Sequence, residues 1–186
     1  MREDVELSDG RVLLRPYRPA DVDGLYEAAY ESIDDMFPWM AWCHPGYAIE
    51  ETRQWAEMAL DAWREDRGYE FVMTDAGDGS VFGGCGLNRI NNTDRVANLG
   101  YWVRSSRTRR GVASAATRLL ARFGFEQVGL NRIEIIAAVD NTASQRVAEK
   151  AGATREGVLR NRLLLHERVH DAVMFSLVPD DLDVER

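Results

Sequence analysis

Residues 98–123 constrain the fold more than any other segment of this chain. They read NLGYWVRSSRTRRGVASAATRLLARF, an apolar strand followed by an arginine-rich loop and a helical stripe of apolar residues. The stripe predicts a helix that begins near Gly111 and packs on a core. Its first N–H groups lack intrahelical partners and lie beside Arg109 and Arg110, which predicts a binding site for an anion such as phosphate. An exposed arginine loop before an ordinary surface helix is the alternative.

The composition limits the classes of partner. The chain has 186 residues, of which 45% are hydrophobic, and its net charge is −8. This size predicts a single domain over residues 1–186, and the negative charge opposes binding to nucleic acid or to an anionic membrane. The N-terminus lacks the apolar stretch of a signal peptide, so we expect a cytoplasmic protein. Cys43 and Cys85 lack disulfide-scaffold or zinc spacing and are predicted to be buried, inert thiols.

Periodicity and turn-forming residues predict an α+β fold. Strands are expected over residues 11–15, 69–74, 81–88, 95–103, 132–139, 154–162 and 169–177, and helices over 19–32, 49–66, 111–129 and 141–151. Three strands in close succession indicate an antiparallel meander, and the helix between the next two strands indicates a parallel crossover. We therefore expect a central mixed, mostly antiparallel sheet with one parallel strand join, flanked by about four helices.

Residues 36–47 form an unusual segment, MFPWMAWCHPGY, with two tryptophans and two prolines. Neither a helical nor a strand period fits it. A loop packed on the core and an aromatic wall for a substrate are both consistent with this composition.

Residues 166–170, HERVH, satisfy the zinc pattern HExxH. On a helix this spacing places two imidazoles on one face, with Glu167 as the base. The flanking residues lack a helical stripe, and in a strand four residues span about 13 Å, too far for two ligands of one ion. We therefore expect no metal at this segment.

The order of the motifs resembles the Gcn5-related N-acetyltransferases (GNAT), specifically the branch that acetylates the N-termini of ribosomal proteins. The matching pieces, in order, are GYWV, TRRGVA with its helix, RIEIIAAVDNTASQRVAEKAGATREGVLR and HDAVMFSL. The match extends from about residue 12 to residue 177. It implies the GNAT fold, acetyl-CoA as cosubstrate and direct attack by a primary amine without a covalent enzyme intermediate. The expected acceptor is a protein N-terminal α-amine of the ribosomal-protein type, and a homodimer is a further expectation.

The resemblance also implies how acetyl-CoA is held. In the family, the loop pattern Q/R-x-x-G-x-G/A holds the pyrophosphate through main-chain N–H groups; here Thr108 replaces the usual Gln or Arg. The expected pyrophosphate-binding residues are Thr108, Arg109, Arg110, Gly111, Val112 and Ala113. Backbone groups of Tyr101, Trp102 and Val103 are expected to hold the pantetheine arm as an added strand.

The segment NTAS supplies the expected catalytic residues. Asn141 and Ser144 stand at the N-cap and N3 positions of a helix, so local capping alone explains both. The resemblance implies that Asn141 also holds the pantetheine or the substrate, and that Ser144 protonates or hydrogen-bonds the leaving CoA thiolate. A tyrosine acid is usual elsewhere in the superfamily, but all six tyrosines here lie at or before Tyr101.

The general base is left open by the sequence. Many relatives carry Glu just before the LGYW sequence, where this chain has Asn98. Glu134 is a candidate that acts through water, as is Glu70, although either is equally explained as an ion-paired or solvated carboxylate. An α-amine of pKa about 7.7–8.0 is about one tenth neutral at pH 7, whereas lysine at 10.4 is far less so. A site without a strong base therefore favours an α-amine.

Two other functions are consistent with the same residues. One is a non-catalytic acyl-CoA-binding or regulatory module, and the other is an N-acetyltransferase for a polyamine or an antibiotic. The sequence names neither the acceptor nor the length of the acyl group.

Overall fold

The structure, a computed structural model, describes residues 5–183 of the chain. The strands are β1 (Leu7–Ser8), β2 (Val12–Pro16), β3 (Tyr69–Asp75), β4 (Val81–Asn91), β5 (Val96–Val103), β6 (Arg132–Ala138), β7 (Thr154–Leu165) and β8 (Arg168–Leu177). The α-helices are α1 (Val22–Tyr30), α2 (Ile33–Met36), α3 (Ile49–Arg64), α4 (Val112–Phe123) and α5 (Thr142–Ala151).

The strands form one sheet in the order β1-β2-β3-β4-β5-β6-β8-β7. Neighbouring strands are antiparallel except β5 and β6, which run parallel on either side of the α4 crossover. The predicted α+β class, the meander β3-β4-β5 and the single parallel join are therefore confirmed. The one-turn helix α2 and the two-residue strand β1 are too short to leave a period in the sequence, and were not predicted.

Helix α4 packs the predicted apolar stripe against the sheet. Its buried residues include Val112, Ala116 and Leu120, which join the core with Leu14 and Leu99 from the strands. Helix α4 ends earlier than predicted. A five-residue π turn, Gly124–Val128, follows Phe123, and Gly129 after it has the left-handed φ of 80° that ends the segment.

Gly124, the first residue of this turn, packs closely on the sheet. A Cβ at this position would lie 2.8 Å from Ile133 Cδ1 and 3.0 Å from Leu87 Cδ1, so a larger residue would require these side chains to shift.

Several further expectations concern the chain as a whole. Cys43 and Cys85 are both buried free thiols, as predicted. None of the helices between residues 5 and 183 has the length and apolarity needed to cross a bilayer. Of the N-terminal segment considered for a signal peptide, residues 1–4 lie outside the described residues.

Candidate active site

The parallel join between β5 and β6 is short, and this creates an opening in the sheet. Residues 96–98 pair with residues 132–134, after which β5 pairs only with β4 and β6 only with β8. The two strands therefore diverge, and each presents an unpaired backbone edge to the space between them.

Backbone groups of β5 face this opening at alternate residues. A Cβ added at Gly83 would lie 2.1 Å from Trp102 O, so the Trp102 carbonyl points toward β4. Strand alternation then turns the backbone groups of Tyr101 and Val103 toward the opening. Trp102, also expected to offer its backbone, instead contributes its side chain to this region.

The loop before α4 presents free amide groups. Gly111 is the N-cap of α4 and has a φ of 77°, and Arg109 before it has a φ of 60°. The first helical hydrogen bond runs from Ala115 N to Gly111 O at 3.0 Å. The amides of Val112 and Ala113 precede it and lack helical acceptors. Residues 108–111, which lead to these amides, are exposed, so an anion can approach the loop from solvent.

The preceding turn is fixed to the end of α1 and the residues after it. The Arg104 guanidinium pairs with Glu31, with Nε 3.0 Å from Oε1, and this hydrogen bond lowers the pKa of Glu31 to about 2. The N–H of Ser105 donates to Ser32 Oγ at 2.9 Å. Thr108, which replaces the usual Gln or Arg, donates its hydroxyl to Ser105 O at 2.9 Å. Its side chain therefore stabilises the turn.

An arginine far away in the sequence reaches the same loop. Arg11 Nη2 lies 3.4 Å from the position that a Cβ on Gly111 would take. Arg107, by contrast, places its guanidinium 5.4 Å from the centre of the Phe82 ring. Arg11 precedes β2, 100 positions before Gly111, and no local motif in the sequence indicated this proximity.

Ser144 lies beside a tyrosine hydroxyl. Asn141 Oδ1 accepts a hydrogen bond from Ser144 N at 3.0 Å, which is the predicted N-cap contact of α5. Tyr101 Oη lies 3.0 Å from Ser144 Oγ and also donates to Ser144 O at 3.0 Å. Burial raises the pKa of Tyr101 to about 12. The sequence pointed to Tyr101 for its backbone alone, because its hydroxyl meets Ser144 only in the folded chain.

A cavity of about 500 Å³, lined in part by Tyr101, extends over the sheet. Its walls include the aromatic and thioether side chains of Met40, Trp42, Tyr47, Trp55, Met58 and Trp102. Three of these come from the segment 36–47, whose Cys43 and Tyr47 are also buried. The predicted packing of this segment on the core is therefore confirmed, and its role as a wall for a substrate stays a prediction.

One buried carboxyl lines the cavity, that of Glu70 on β3. Glu70 is 8% exposed, and this burial raises the pKa of its carboxyl. Asn88 Nδ2 donates to Glu70 Oε1 at 3.2 Å, and Asn98 Nδ2 donates to Asn88 Oδ1 at 3.0 Å. These three side chains lie on adjacent strands, so the hydrogen bonds run across the sheet.

Glu134, the other candidate base, has a different environment. Its Oε1 accepts a hydrogen bond from Arg132 Nε at 3.0 Å, and it is not among the residues that line the cavity. Arg132 also pairs with Glu156. The structure therefore places Glu134 in a surface ion-pair network and brings Glu70 into the cavity.

The HERVH segment contains the turn between the last two strands, and its last three residues begin β8. His166 and Glu167 have φ values of 46° and 65° and connect β7 to β8. The His166 ring stacks on Phe37 with centroids 4.1 Å apart, and its Nε2 donates to Phe37 O at 2.8 Å. No group of three His, Cys, Asp or Glu side chains suited to a metal ion occurs in the described part of the chain.

Comparisons with known proteins agree with this architecture. Residues 11–154 match the family model for the acetyltransferase (GNAT) domain. The chain is similar to YdaF of Bacillus subtilis (strain 168), whose ribosomal N-acetyltransferase function is itself only proposed, at 29% identity over 94% of this chain and 95% of YdaF. It is also similar to the ribosomal-protein-serine acetyltransferase of Escherichia coli (strain K12), at 28% identity over 61% of this chain and 64% of that protein.

Among solved structures, Mycobacterium smegmatis RimJ in complex with CoA-disulfide superposes with a TM-score of 0.84 at 26% identity. The superposition covers 96% of this chain and 88% of RimJ.

Proposed function

This chain belongs to the GNAT acetyltransferase family and is an acetyl-CoA-dependent N-acetyltransferase, and we propose that its acceptor is the N-terminal α-amine of a protein. A ribosomal protein is the expected substrate, because two relatives are named as ribosomal acetyltransferases. One aligns over most of the chain, and the other over more than half of it. A cytoplasmic location and a homodimer stay predictions.

The residues before and at the start of α4 fit the cosubstrate. The amides of Val112 and Ala113, which lack helical acceptors, would hold the pyrophosphate together with Arg109, Arg110 and Arg11, because these groups offer N–H donors and positive charge to an anion. The open β5 edge at Tyr101 and Val103 would pair with the pantetheine arm as a strand does. Asn141, already the cap of α5, lies beside the same opening.

The observation that carries the proposal is that Tyr101 belongs to two features at once. It lines the aromatic cavity, and its hydroxyl contacts Ser144 Oγ at 3.0 Å. An amine in the cavity therefore approaches the place where a thiolate would receive a proton from Ser144. Direct attack of that amine on the thioester needs no nucleophile from the enzyme, and the Val103 amide is positioned at the opening to bind the developing oxyanion.

An α-amine is the acceptor that needs the least help from the protein. At pH 7 about a tenth of an α-amine is neutral, whereas for lysine the fraction is a few parts in ten thousand. The negative net charge of the chain, −8, also favours a cationic acceptor over an anionic one.

The proposal is tested by supplying acetyl-CoA with three kinds of acceptor and measuring free thiol release. The acceptors are extracted ribosomal proteins, an N-blocked lysine peptide and the diamine 1,4-diaminobutane. We expect transfer to a ribosomal protein, with mass spectrometry locating the acetyl group on its first residue. Faster transfer to the diamine or to the blocked peptide would instead support the small-molecule or side-chain function.

A further inference from the structure

Glu70 is an acidic group buried in the cavity without a counter-charge. Its carboxyl forms no ion pair with any residue from 5 to 183, and its hydrogen bond is to the neutral amide of Asn88. The other carboxylate that lines the cavity, Glu51, already caps α3 at Ala48 N and contacts His44 Nε2 at 2.9 Å. Arg89, the arginine of the cavity wall, is exposed and does not pair with Glu70. A buried, unpaired carboxylate is costly, so an ammonium ion that reaches Glu70 supplies the partner that Arg89 does not.

We propose that Glu70 binds the ammonium group of the acceptor and takes one of its protons before acetyl transfer. This inference rests on the proposed function, because it assumes that the acceptor is an amine that enters the cavity. It adds the residue that recognises the amine, and it defines the ligand of this part of the cavity as a primary ammonium ion.

Strand β4 is shaped to accommodate this carboxyl. A Cβ added at Gly86 would lie 1.8 Å from Glu70 Oε2, and one added at Gly84 would lie 2.5 Å from Tyr17 Oη. The carboxyl therefore lies against bare backbone, in a space that any larger residue would fill. The indole N–H of Trp63 donates to Glu70 O at 2.8 Å and fixes the Glu70 backbone on the other side of the strand.

The two asparagines leave one carboxylate oxygen available. Asn88, held by Asn98 through a 3.0 Å hydrogen bond, occupies Glu70 Oε1. Oε2 has no hydrogen-bond donor among the described residues, and Glu70 is part of the cavity wall. Glu70 Oε2 is therefore available to accept a hydrogen bond from an ammonium ion, and Asn88 on the neighbouring strand fixes the orientation of the carboxyl group.

The proton balance of the step closes. One ammonium N–H bond breaks and an O–H bond forms on Glu70, which leaves a lone pair on the amine nitrogen. Burial favours this neutral pair of amine and carboxylic acid over separated charges. The C–N bond then forms and the C–S bond breaks, and Ser144 gives its proton to the sulfur. The nitrogen loses its second proton in the same step, and this proton restores the Ser144 hydroxyl. Net transfer releases one proton, which leaves Glu70 for solvent through the mouth of the cavity.

The test compares the kinetics of four variants with two acceptors, an alanine-initiated tetrapeptide amide and 1,4-diaminobutane. Glu70→Gln should lower kcat/KM for the acceptor by about 10²-fold, while the KM for acetyl-CoA stays the same. Gly86→Ala should act in the same direction although it removes no charge. Glu70→Asp should regain part of the rate. Glu57→Gln on the exposed side of α3 loses the same charge and should match the wild type.

The outcomes separate this inference from the proposed function. Near-wild-type kcat/KM in Glu70→Gln, for whichever acceptor the wild type uses, overturns the role of Glu70, as does a loss of acetyl-CoA binding in the same variant. Transfer to the diamine but to no peptide refutes the proposed acceptor. The role of Glu70 is then tested by comparing kcat/KM of the wild type and the variants for the diamine.

If the wild type acetylates neither amine, calorimetry measures the affinities of the free peptide and of its N-acetylated form. Tighter binding of the free amine that is lost in Glu70→Gln supports the site, and equal affinities in the wild type overturn it.

Discussion

At the scale of single residues, the proposed mechanism gives the hydroxyls of Tyr101 and Ser144 different roles. Tyr101 Oη donates to Ser144 O, and either hydroxyl can donate in the contact between Tyr101 Oη and Ser144 Oγ. With a pKa of about 12, Tyr101 keeps its own proton at any ordinary assay pH. In the proposed mechanism Ser144 gives its proton to the thiolate, and Tyr101 orients the Ser144 hydroxyl.

Replacing Ser144 with alanine should lower kcat by about 10²-fold with little change in the KM for acetyl-CoA, because a proton donor to the leaving group acts in the transition state. The fold should persist, since Asn141 caps the backbone N–H of residue 144 and not its hydroxyl. Steady-state kinetics check this, with Tyr101→Phe expected to cost less because Ser144 remains. If kcat is unchanged in Ser144→Ala, the Ser144 hydroxyl is only a structural partner of Tyr101 and not a donor.

Glu70 should also leave a signature in stability. Because burial raises its pKa in the folded state, its contribution is fully present below the unfolded pKa and is lost as the pH rises through the folded pKa. Glu31 and Glu156, with pKa values of about 2, act in the opposite direction. Tyr17 and Cys85 face Glu70 with raised pKa values and stay neutral throughout.

The comparison of wild type with Glu70→Gln isolates this effect, since the other carboxylates are common to both proteins. We expect the urea midpoint of Glu70→Gln to increase relative to that of the wild type as the pH rises from 4 to 8. A constant difference between the two curves would mean that Glu70 titrates normally.

At the scale of elements, the start of α4 combines backbone geometry with charge. Gly111 has a left-handed φ of 77°, so a side chain there would strain the loop whatever it did to a ligand. Ala113 has ordinary helical geometry and belongs to the first turn. An acidic residue at this position is favourable to the helix dipole but opposes a phosphate.

Ala113→Asp should therefore keep the melting temperature of the free protein while abolishing most of its stabilisation by acetyl-CoA. At 100 times Kd the wild type should gain about 2.7 kcal/mol, or about 5–10 °C for a chain of this size. Thermal melts with and without acetyl-CoA measure this, and Ala113→Asn, similar in shape but uncharged, should retain more of the shift. A full shift in Ala113→Asp would place the pyrophosphate elsewhere.

The elements themselves were largely predictable, because each long strand and helix carries its own period. The exceptions are short: β1 has two residues, and the π turn after Phe123 has five, so neither leaves a period of its own in the sequence.

The candidate site was predictable only where a few consecutive residues suffice, as in the loop at Gly111. The cavity position of Glu70, and the proximity of Arg11 to that loop, depend on strand neighbours distant in sequence. A single sequence carries no local pattern for such contacts.

At the scale of the whole molecule, the proposed sites for cosubstrate and acceptor are formed by different elements. The proposed pyrophosphate loop lies at the start of α4, whereas α3 and the segment 36–47 line the cavity. The cavity wall carries the carboxylates Glu51 and Glu70 and one exposed arginine, Arg89, whereas the loop carries Arg109 and Arg110. This difference in charge favours an ammonium ion in the cavity and a phosphate at the loop.

The pH dependence of the reaction separates the proposed proton transfer to Glu70 from the acceptor's own ionisation. In Glu70→Gln, which has no buried carboxylate to take the proton, kcat/KM for an α-amino peptide should rise with pH and level off near pH 8, and at pH 7 it should exceed the value for an N-blocked lysine peptide. Initial rates at constant ionic strength provide the measurement. A preference for the blocked lysine peptide at pH 7 would mean that the site deprotonates a much stronger base than an α-amine.

The divergence of β5 from β6 gives one strand two rates of hydrogen exchange. Near Ala97 the amides are enclosed by partners on both sides, whereas those of Tyr101 and Val103 have no strand partner across the opening. In deuterated water the second pair should exchange well before the first. A bound pantetheine chain that pairs with β5 would slow the exchange of these two amides to the rate of the amides near Ala97. Deuterium uptake measured for each residue would then show how far along β5 the bound chain forms hydrogen bonds.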